Sequence, residues 1–283
     1  MTQVAEVPVD AAAARRYHER GYHFPVRIFT PEEAGRLRDR FVGYLDEYQA
    51  ELTPLLPRER AQYFVETHLF LRWVYEIVSH QTILDAVEAV LGPDVLVWSS
   101  QWFPKMPRDP AYVSWHQDAA YWGLTPPNVV TAWVALTRSN DASGCVRVVP
   151  GSHRDLLPQR ETYAASNMLS RGQEIAVEVN PADAMSLELE PGECSLHHVG
   201  IVHGSGPNES AEPRIGLAIR NISPDVVQQG RARDMVMLAR GRDAHGHFDL
   251  IEPPQRDHAF GENRNHAESL ARKRRNLLPD ERK

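Results

Sequence analysis

Residues 113–118 read Val-Ser-Trp-His-Gln-Asp, and the interpretation of the whole chain starts from this stretch. Residues Val113 to His116 are typical of a short β-strand, in which side chains two positions apart point to the same side. His116 and Asp118 would then present an imidazole and a carboxylate on one face. A nitrogen and an oxygen ligand in this geometry can occupy two adjacent positions on a metal ion.

The His-x-acid spacing alone does not identify a metal site. Roughly two such matches are expected by chance in a chain with 13 histidines and 38 acidic residues. Beyond His116 and Asp118, the spacing also occurs at His153 to Asp155, His247 to Asp249 and His266 to Glu268. The strand context of His116 separates it from the others, whereas His153 follows a Pro-Gly-Ser turn and is interpreted as part of a loop.

Three later histidines are candidates for a third ligand. His203 begins the sequence His-Gly-Ser-Gly-Pro-Asn, where a strand gives way to a turn and small residues leave room for ligands. His197 and His198 are adjacent, so in a strand they face opposite ways, and packing or hydrogen bonding behind the metal is expected of them. His203 would complete a two-histidine, one-carboxylate site with His116 and Asp118, which suits Fe(II).

A further alternating strand begins at Arg214 and reads Arg-Ile-Gly-Leu-Ala-Ile over residues 214–219. Alternation places Arg214, Gly216 and Ala218 on one face and the three larger aliphatic residues on the other. Such a face suits a small molecule whose carboxylate is bound by the guanidinium. A surface arginine is the alternative, and the residues alone leave both possibilities open.

The surrounding sequence predicts a helical first third followed by a β-rich region. Thr30-Pro31-Glu32-Glu33 forms a capping box for a helix with an apolar face that runs from Leu37 to Leu52. Further helices are predicted from about Tyr63 and from Gln81 to Leu91, where Gly92-Pro93 is a stop signal. From residue 94 the period changes to two, as in an all-β barrel or sandwich. The predicted strands are Val95 to Trp98, Val129 to Leu136, Cys145 to Val149, Ile175 to Val179, Glu193 to His198 and Ile215 to Ile222.

Composition narrows the class of partner. The chain has 283 residues with 31 Lys and Arg against 38 Asp and Glu, a formal net charge of -7. A negative chain without a large basic block is not expected to bind nucleic acid, and no sequence run of about 20 apolar residues could cross a bilayer. Cys145 and Cys194 are expected to be buried thiols, and the N-terminus lacks an apolar signal core. We therefore expect a cytoplasmic protein that binds a small molecule.

Several sequence blocks, in their order along the chain, closely resemble the phytanoyl-CoA dioxygenase family. The blocks are Val113 to Trp122, Thr131 to Leu136, Gly144 to His153, and His203 to Asn208 with Arg214. The resemblance covers roughly residues 94–224, and the blocks together are highly specific. It implies a double-stranded β-helix, or jelly-roll, enzyme that uses Fe(II), O2 and 2-oxoglutarate.

The resemblance also implies a role for individual residues. The positions that match the iron ligands are His116, Asp118 and His203. Arg214 matches the residue that binds the distal carboxylate of 2-oxoglutarate, and Ser205 matches its hydroxyl partner. Further positions that match the surroundings of the cosubstrate are Thr131, Trp133 and Gln101. Because Asp118 retains the carboxylate that related halogenases replace with a small residue, hydroxylation or a related oxidation is expected.

The substrate is expected to be a small metabolite. Phe103, Tyr121 and Trp122 flank the ligand-bearing strands, and Arg220 shares the predicted face of Arg214. For the aromatic residues the alternative is core packing, and for Arg220 it is a position at a strand end. Two other functions stay open on the residues alone. They are a cupin-like metal-dependent dioxygenase or isomerase that does not use 2-oxoglutarate, and a non-enzymatic jelly-roll binding module.

One domain is expected over residues 1–283, because no repeat or linker divides the chain. It would consist of a helical N-terminal part over about 9–92, a jelly-roll core over about 94–224 and a polar C-terminal extension over about 225–283. The basic run from Arg272 to Arg275 is predicted to lie on a solvated helix face or in a frayed tail. Loops between 155 and 174, or beyond 224, are expected to act as a lid.

Overall fold

The computed structural model describes residues 9–56 and 59–277. Its helices are α1 (Ala11–Arg20), α2 (Pro31–Glu47), α3 (Gln49–Leu52), α4 (Ala61–Phe64), α5 (Arg72–Val78), α6 (Gln81–Leu91), α7 (Ala119–Trp122) and α8 (Arg264–Leu277). Its strands are β1 (Tyr22–Arg27), β2 (Val95–Trp102), β3 (Val113–His116), β4 (Leu124–Thr125), β5 (Val129–Ala135), β6 (Val146–Val148), β7 (Gln159–Glu161), β8 (Gln173–Ile175), β9 (Met185–Leu187), β10 (Glu193–His198), β11 (His203–Ser205), β12 (Gly216–Ile222), β13 (Val227–Gln228), β14 (Met235–Arg240) and β15 (Asp249–Leu250).

Two sheets form the centre of the fold. The major sheet has the strand order β1-β10-β5-β12-β2-β14-β15 and is antiparallel except for the pairing of β14 with β15. The minor sheet has the order β3-β11-β6-β9, and β4 with β13 and β7 with β8 form two small additional ribbons. Neighbouring strands are distant in sequence, as in a jelly roll. The predicted jelly-roll core with a helical layer is confirmed.

The major sheet is buried on both faces, and alternate residues of each strand serve different cores. In β5, Ala132 and Val134 pack with the N-terminal helices, whereas Trp133 and Ala135 pack with residues of the minor sheet. This alternation follows from the period of two in a strand. The inward face of β5 therefore lies in the space between the two sheets, where the candidate site residues converge.

Helix α2 begins as the sequence predicts. Thr30 Oγ1 accepts a hydrogen bond from the Glu33 backbone N–H at 3.2 Å, and the Glu33 carboxylate accepts one from the Thr30 N–H at 2.9 Å. The ring of Phe41 is fully buried and stacks on Trp102 of β2 with 4.3 Å between the ring centroids. The helix ends at Glu47, so the predicted apolar face is divided between α2 and α3.

The predicted limits of the β core are wrong at both ends. β1 lies in the predicted helical part, yet it pairs with β10 at the edge of the major sheet, where its Pro25 is tolerated. β14 lies in the predicted polar extension and pairs with β2. The predicted strand from Ile175 to Val179 is also wrong, because β8 ends at Ile175 and Val177 is exposed.

The predicted solvated helix face of the basic run is correct for Arg274 and Arg275, which are exposed on α8, but wrong for Lys273. Lys273 is buried, and its Nζ forms an ion pair with Glu66 Oε1 at 2.8 Å. Burial of the Lys273 ammonium group requires an acidic partner that is also buried, and the sequence around Lys273 does not reveal this partner. Residues 1–8, 57–58 and 278–283 of the predicted domain lie outside the described residues. Within the described ranges, every helix is too short or too polar to cross a bilayer.

We expect Phe41→Ala to lower the free energy of unfolding by about 3–5 kcal/mol, because it leaves a cavity between α2 and the major sheet. Urea denaturation of the purified protein measures this change. The matched control is Val42→Ala, since Val42 is exposed on the same helix. Equal losses in the two variants would contradict the proposed packing of the helical layer.

Candidate metal centre and active site

His116 and His203 lie directly opposite each other in the minor sheet. His116 ends β3, His203 begins β11, and the two residues are paired in the antiparallel register. Their ring centroids are 4.1 Å apart. Two imidazoles that are 87 residues apart in sequence therefore reach the same point through backbone pairing alone.

Asp118 reaches this point by a different route from the predicted one. The strand ends at His116, and Asp118 has helical backbone angles (φ -59°, ψ -37°) at the start of α7. The intervening Gln117 is fully buried, and its amide Nε2 donates to the carbonyls of Gly200 at 2.6 Å and Asp155 at 2.9 Å. These bonds hold the turn that returns the Asp118 carboxylate to the histidines, so the predicted ligand is correct in position but not in strand geometry.

The hydrogen bonds of the two histidines orient their rings toward the carboxylate. Nδ1 of His116 lies 2.9 Å from the carbonyl of Ser114, and Nδ1 of His203 lies 3.0 Å from that of Ile201. Because a carbonyl only accepts, each Nδ1 carries the proton and each Nε2 faces Asp118. The Nε2–carboxylate distances are 3.2 Å for His116 and 3.9 Å for His203.

The electrostatics of this cluster favour a bound cation. Burial raises the pKa of Asp118, but its close contact with His116 and the positive field of His203 and Arg220 outweigh it and hold the pKa at about 2. Burial lowers the pKa of His203 to about 4, so this ring is neutral at pH 7. An ionised carboxylate facing imidazole lone pairs draws in a proton or a metal ion. Three donor atoms within 4.8 Å of one another fit a metal, and two nitrogens with one oxygen fit Fe(II).

A chamber on one side of these three residues contains a second charged group. Arg214 is buried, and its guanidinium donates to the carbonyls of Gly144 at 2.9 Å and Phe103 at 3.0 Å. It also lies 3.4 Å from Ser205 Oγ, which donates to the Gly144 carbonyl at 2.7 Å. The predicted neighbours Arg214 and Ser205 are therefore brought together beside the metal ligands.

Lys105 lies behind Ser205, next to the chamber, and was not predicted from the sequence. It is fully buried, and its Nζ donates to Ser205 Oγ and to the carbonyls of Ser205 and Gly206. Within residues 9–56 and 59–277, neither Lys105 nor Arg214 forms an ion pair with a carboxylate. Two buried cations held only by neutral oxygens fit a site that binds an anion. The available signal was a lysine directly after an apolar strand, at a place where lysines usually face solvent.

The walls of this chamber include Thr131 and Trp133 of β5. The Trp133 ring lies 5.2 Å from the Arg214 guanidinium carbon, and a Cβ at Gly216 would collide with this ring. The Trp133 ring therefore fills the space beside Gly216, where the sequence predicted a bound ligand. Thr131 Oγ1 is buried and has no hydrogen-bond partner among the described residues. His197 also lines the chamber and contacts His203 with 5.0 Å between ring centroids, as expected of a histidine behind the metal.

Gln101 and Phe103 line different cavities. Gln101 was expected beside the cosubstrate, but its Oε1 accepts from Arg220 at 3.1 Å and the residue lines a different cavity. Phe103 was expected beside the substrate, but it lines the Arg214 chamber, where its carbonyl binds Arg214. Gln101 lies in β2, whereas Phe103 follows the last residue of that strand, Trp102.

A second cavity is also lined by His116 and Asp118 and has a volume of about 180 Å³. The predicted substrate residues Tyr121 and Trp122 line it, and Arg220 lines both this cavity and the Arg214 chamber. Residues 168–171 and the inner face of α8 complete its wall, so parts of both predicted lid segments cover it. A larger groove of about 950 Å³ lies on the minor sheet but touches none of the three candidate metal ligands.

The sequence profile of the phytanoyl-CoA dioxygenase (PhyH) family matches residues 17–216, which is most of the chain. The chain belongs to the phytanoyl-CoA dioxygenase family. The predicted family is thereby confirmed, and with it the predicted class of enzyme, a 2-oxoglutarate-dependent non-haem iron dioxygenase that acts on small molecules.

Solved structures and a curated relative agree with this assignment. The apo form of ThoJ, a non-heme monooxygenase, is 34% identical and superposes with a TM-score of 0.81, covering 95% of this chain and 97% of ThoJ. Its nickel complex gives 31% identity and a TM-score of 0.76 over 95% and 98%. A probable alpha-ketoglutarate-dependent hypophosphite dioxygenase of Stutzerimonas stutzeri is 26% identical over 76% of this chain and 79% of that protein.

We expect His203→Ala to lose at least tenfold in affinity for Fe(II), because it removes one of three converging donors. Anaerobic metal titration, with metal content measured after desalting, tests this. His198→Ala is the control: His198 lies on β10, next in sequence to the His197 behind the metal, and its Nδ1 accepts from the Gly200 N–H. Retention of metal by His203→Ala at the wild-type level would contradict the assignment.

Proposed function

We propose that this protein hydroxylates a small metabolite, with Fe(II) bound by His116, Asp118 and His203 and with 2-oxoglutarate in the Arg214 chamber. The observation that carries the proposal is the buried Arg214 guanidinium, which is bound to neutral oxygens and lines the same chamber as a cluster of donor atoms suited to Fe(II). The chemistry that Fe(II), O2 and 2-oxoglutarate supply together is oxidation of a substrate C–H bond coupled to release of succinate and CO2.

The protein's own residues bind and orient the reactants. The Arg214 guanidinium and Ser205 hydroxyl bind the distal carboxylate of 2-oxoglutarate, and the charge of Lys105 acts through Ser205. Thr131 offers an unpaired hydroxyl to the cosubstrate, and Trp133 excludes water from the chamber. Tyr121 and Trp122 line the substrate side. This division places both reactants against the same metal ligands from opposite sides.

The proposal also covers the domain organisation, the cellular location and the partners of the protein. One domain accounts for the chain, since the helical layer and the major sheet share one core. A cytoplasmic location is supported by two free, buried cysteines. The negative net charge supports a small-molecule partner and neither nucleic acid nor a membrane surface.

The binding of 2-oxoglutarate is expected to depend on pH through Lys105. Burial and the charge of Arg214 lower the pKa of Lys105 to about 6, although Asp109 acts in the opposite direction. A bound dianion favours the charged lysine and therefore raises this pKa. Above pH 6 binding then takes up a proton, so affinity falls as pH rises, by up to about tenfold per unit. Arg214, with a pKa of about 10, and Cys145, with one of about 12, do not titrate in this range.

Calorimetric titration of the anaerobic, Fe(II)-loaded protein between pH 6 and 8 tests this function. Wild-type protein should bind 2-oxoglutarate more weakly at pH 8 than at pH 6, and Lys105→Met should bind weakly with a flat profile. Arg147→Gln, which removes a cation facing Trp115 and Pro181, is the control and should match wild type. Wild-type protein that binds no 2-oxoglutarate and forms no succinate in air would favour the cupin-like alternative.

A further inference from the structure

Arg220 is placed to recognise a ligand in the second cavity. It is the one residue of β12 that is only partly buried, and its side chain lines both this cavity and the Arg214 chamber. Its Nη2 donates to Gln101 Oε1 at 3.1 Å, and its guanidinium carbon lies 5.1 Å from the centroid of the Trp122 ring. Its Nε has no hydrogen-bond partner among the described residues. Gln101 and Trp122 thus fix the plane of the guanidinium while leaving donors free.

The charge of Arg220 is not balanced, in contrast to the other cations around the same cavity. Arg171 forms an ion pair with Glu161 at 2.6 Å, and Lys273 forms one with Glu66 at 2.8 Å. Over residues 9–56 and 59–277 no carboxylate forms an ion pair with Arg220. The acidic group with the strongest electrostatic attraction for Arg220 is Asp118. In the proposed function, the negative charge of Asp118 is neutralised by the bound metal ion.

We propose that the substrate is a small organic anion whose carboxylate or phosphonate group is bound by Arg220. An unpaired guanidinium in a partly desolvated cavity gains most from an oxyanion, which accepts two parallel hydrogen bonds. The rest of the substrate packs against Tyr121 and Trp122, whose rings form an apolar wall. The cavity volume of about 180 Å³ is below the range of about 300–1,000 Å³ that is usual for drug-sized ligands, so it limits the occupant to a smaller molecule. This inference rests on the proposed function, because the oxidised carbon must lie at the metal ligands.

Binding of matched probes tests the inference directly. The probes are benzoate and phenylphosphonate, with benzamide as the neutral counterpart of benzoate. They are titrated into the anaerobic protein loaded with Fe(II) and 2-oxoglutarate, and tryptophan fluorescence reports binding because Trp98 and Trp122 line the cavity. Wild-type protein should bind at least one of the anions at least tenfold more tightly than benzamide. Whichever anion binds more tightly identifies the preferred oxyanion.

Three variants separate a specific arginine from general charge. Arg220→Gln should abolish the preference for anions, and Arg220→Lys should keep part of it as a point charge. Arg160→Gln removes a cation that is already paired with Glu174 at 2.6 Å and should keep the full preference. Thermal unfolding of each variant distinguishes lost binding from lost folding.

Three outcomes would overturn the inference. The first is a wild-type protein that shows no preference for the anions over benzamide, and the second is an Arg220→Gln variant that retains this preference. The third is an Arg220→Gln variant that needs over tenfold more 2-oxoglutarate, because that result would make Arg220 a ligand of the cosubstrate. The proposed function fails separately, if wild-type protein does not bind 2-oxoglutarate. If wild-type protein binds 2-oxoglutarate but binds benzoate and phenylphosphonate no more tightly than benzamide, only the inference about Arg220 is contradicted.

Discussion

The pairing of β3 with β11 is the constraint on which the active centre depends. It sets His116 against His203, and a shift of register by one residue would turn one imidazole to the opposite face. Carbonyls of the same two segments bind both Nδ1 atoms, so the strands supply the ligands and also fix their tautomers. Gln117 adds the third donor by holding the turn that carries Asp118 back to the pair.

The metal ligands also divide the interior into two charged compartments. Arg214 lines one of them, with Lys105 behind Ser205, and the unpaired Arg220 lines both. Buried charge without a partner is costly, so such groups persist where a ligand completes them. Two reactants that are both anionic would neutralise both compartments and meet at the same donor cluster. The strand β12 carries Arg220 and begins two residues after Arg214.

Much of this arrangement could be predicted from the sequence, because local rules govern it. The capping box of α2, the stop after α6 and the strand β10 depend on neighbouring residues only, and the structure has them as predicted. The ligand histidines were recognisable because the family blocks surround them. Lys105, Gln117 and Lys273 were not predictable, since each is a polar residue whose burial depends on a partner from a distant segment.

The central claim is that one buried site binds Fe(II) and 2-oxoglutarate together. Anaerobic titration of the Fe(II)-loaded protein with 2-oxoglutarate, followed by visible absorption, tests it most directly, since chelation of the metal by the keto acid produces a weak charge-transfer band. The account predicts this band in wild-type protein, its loss in His116→Ala and a requirement for far more 2-oxoglutarate in Arg214→Gln. Absence of the band in folded, iron-loaded wild-type protein would contradict the account.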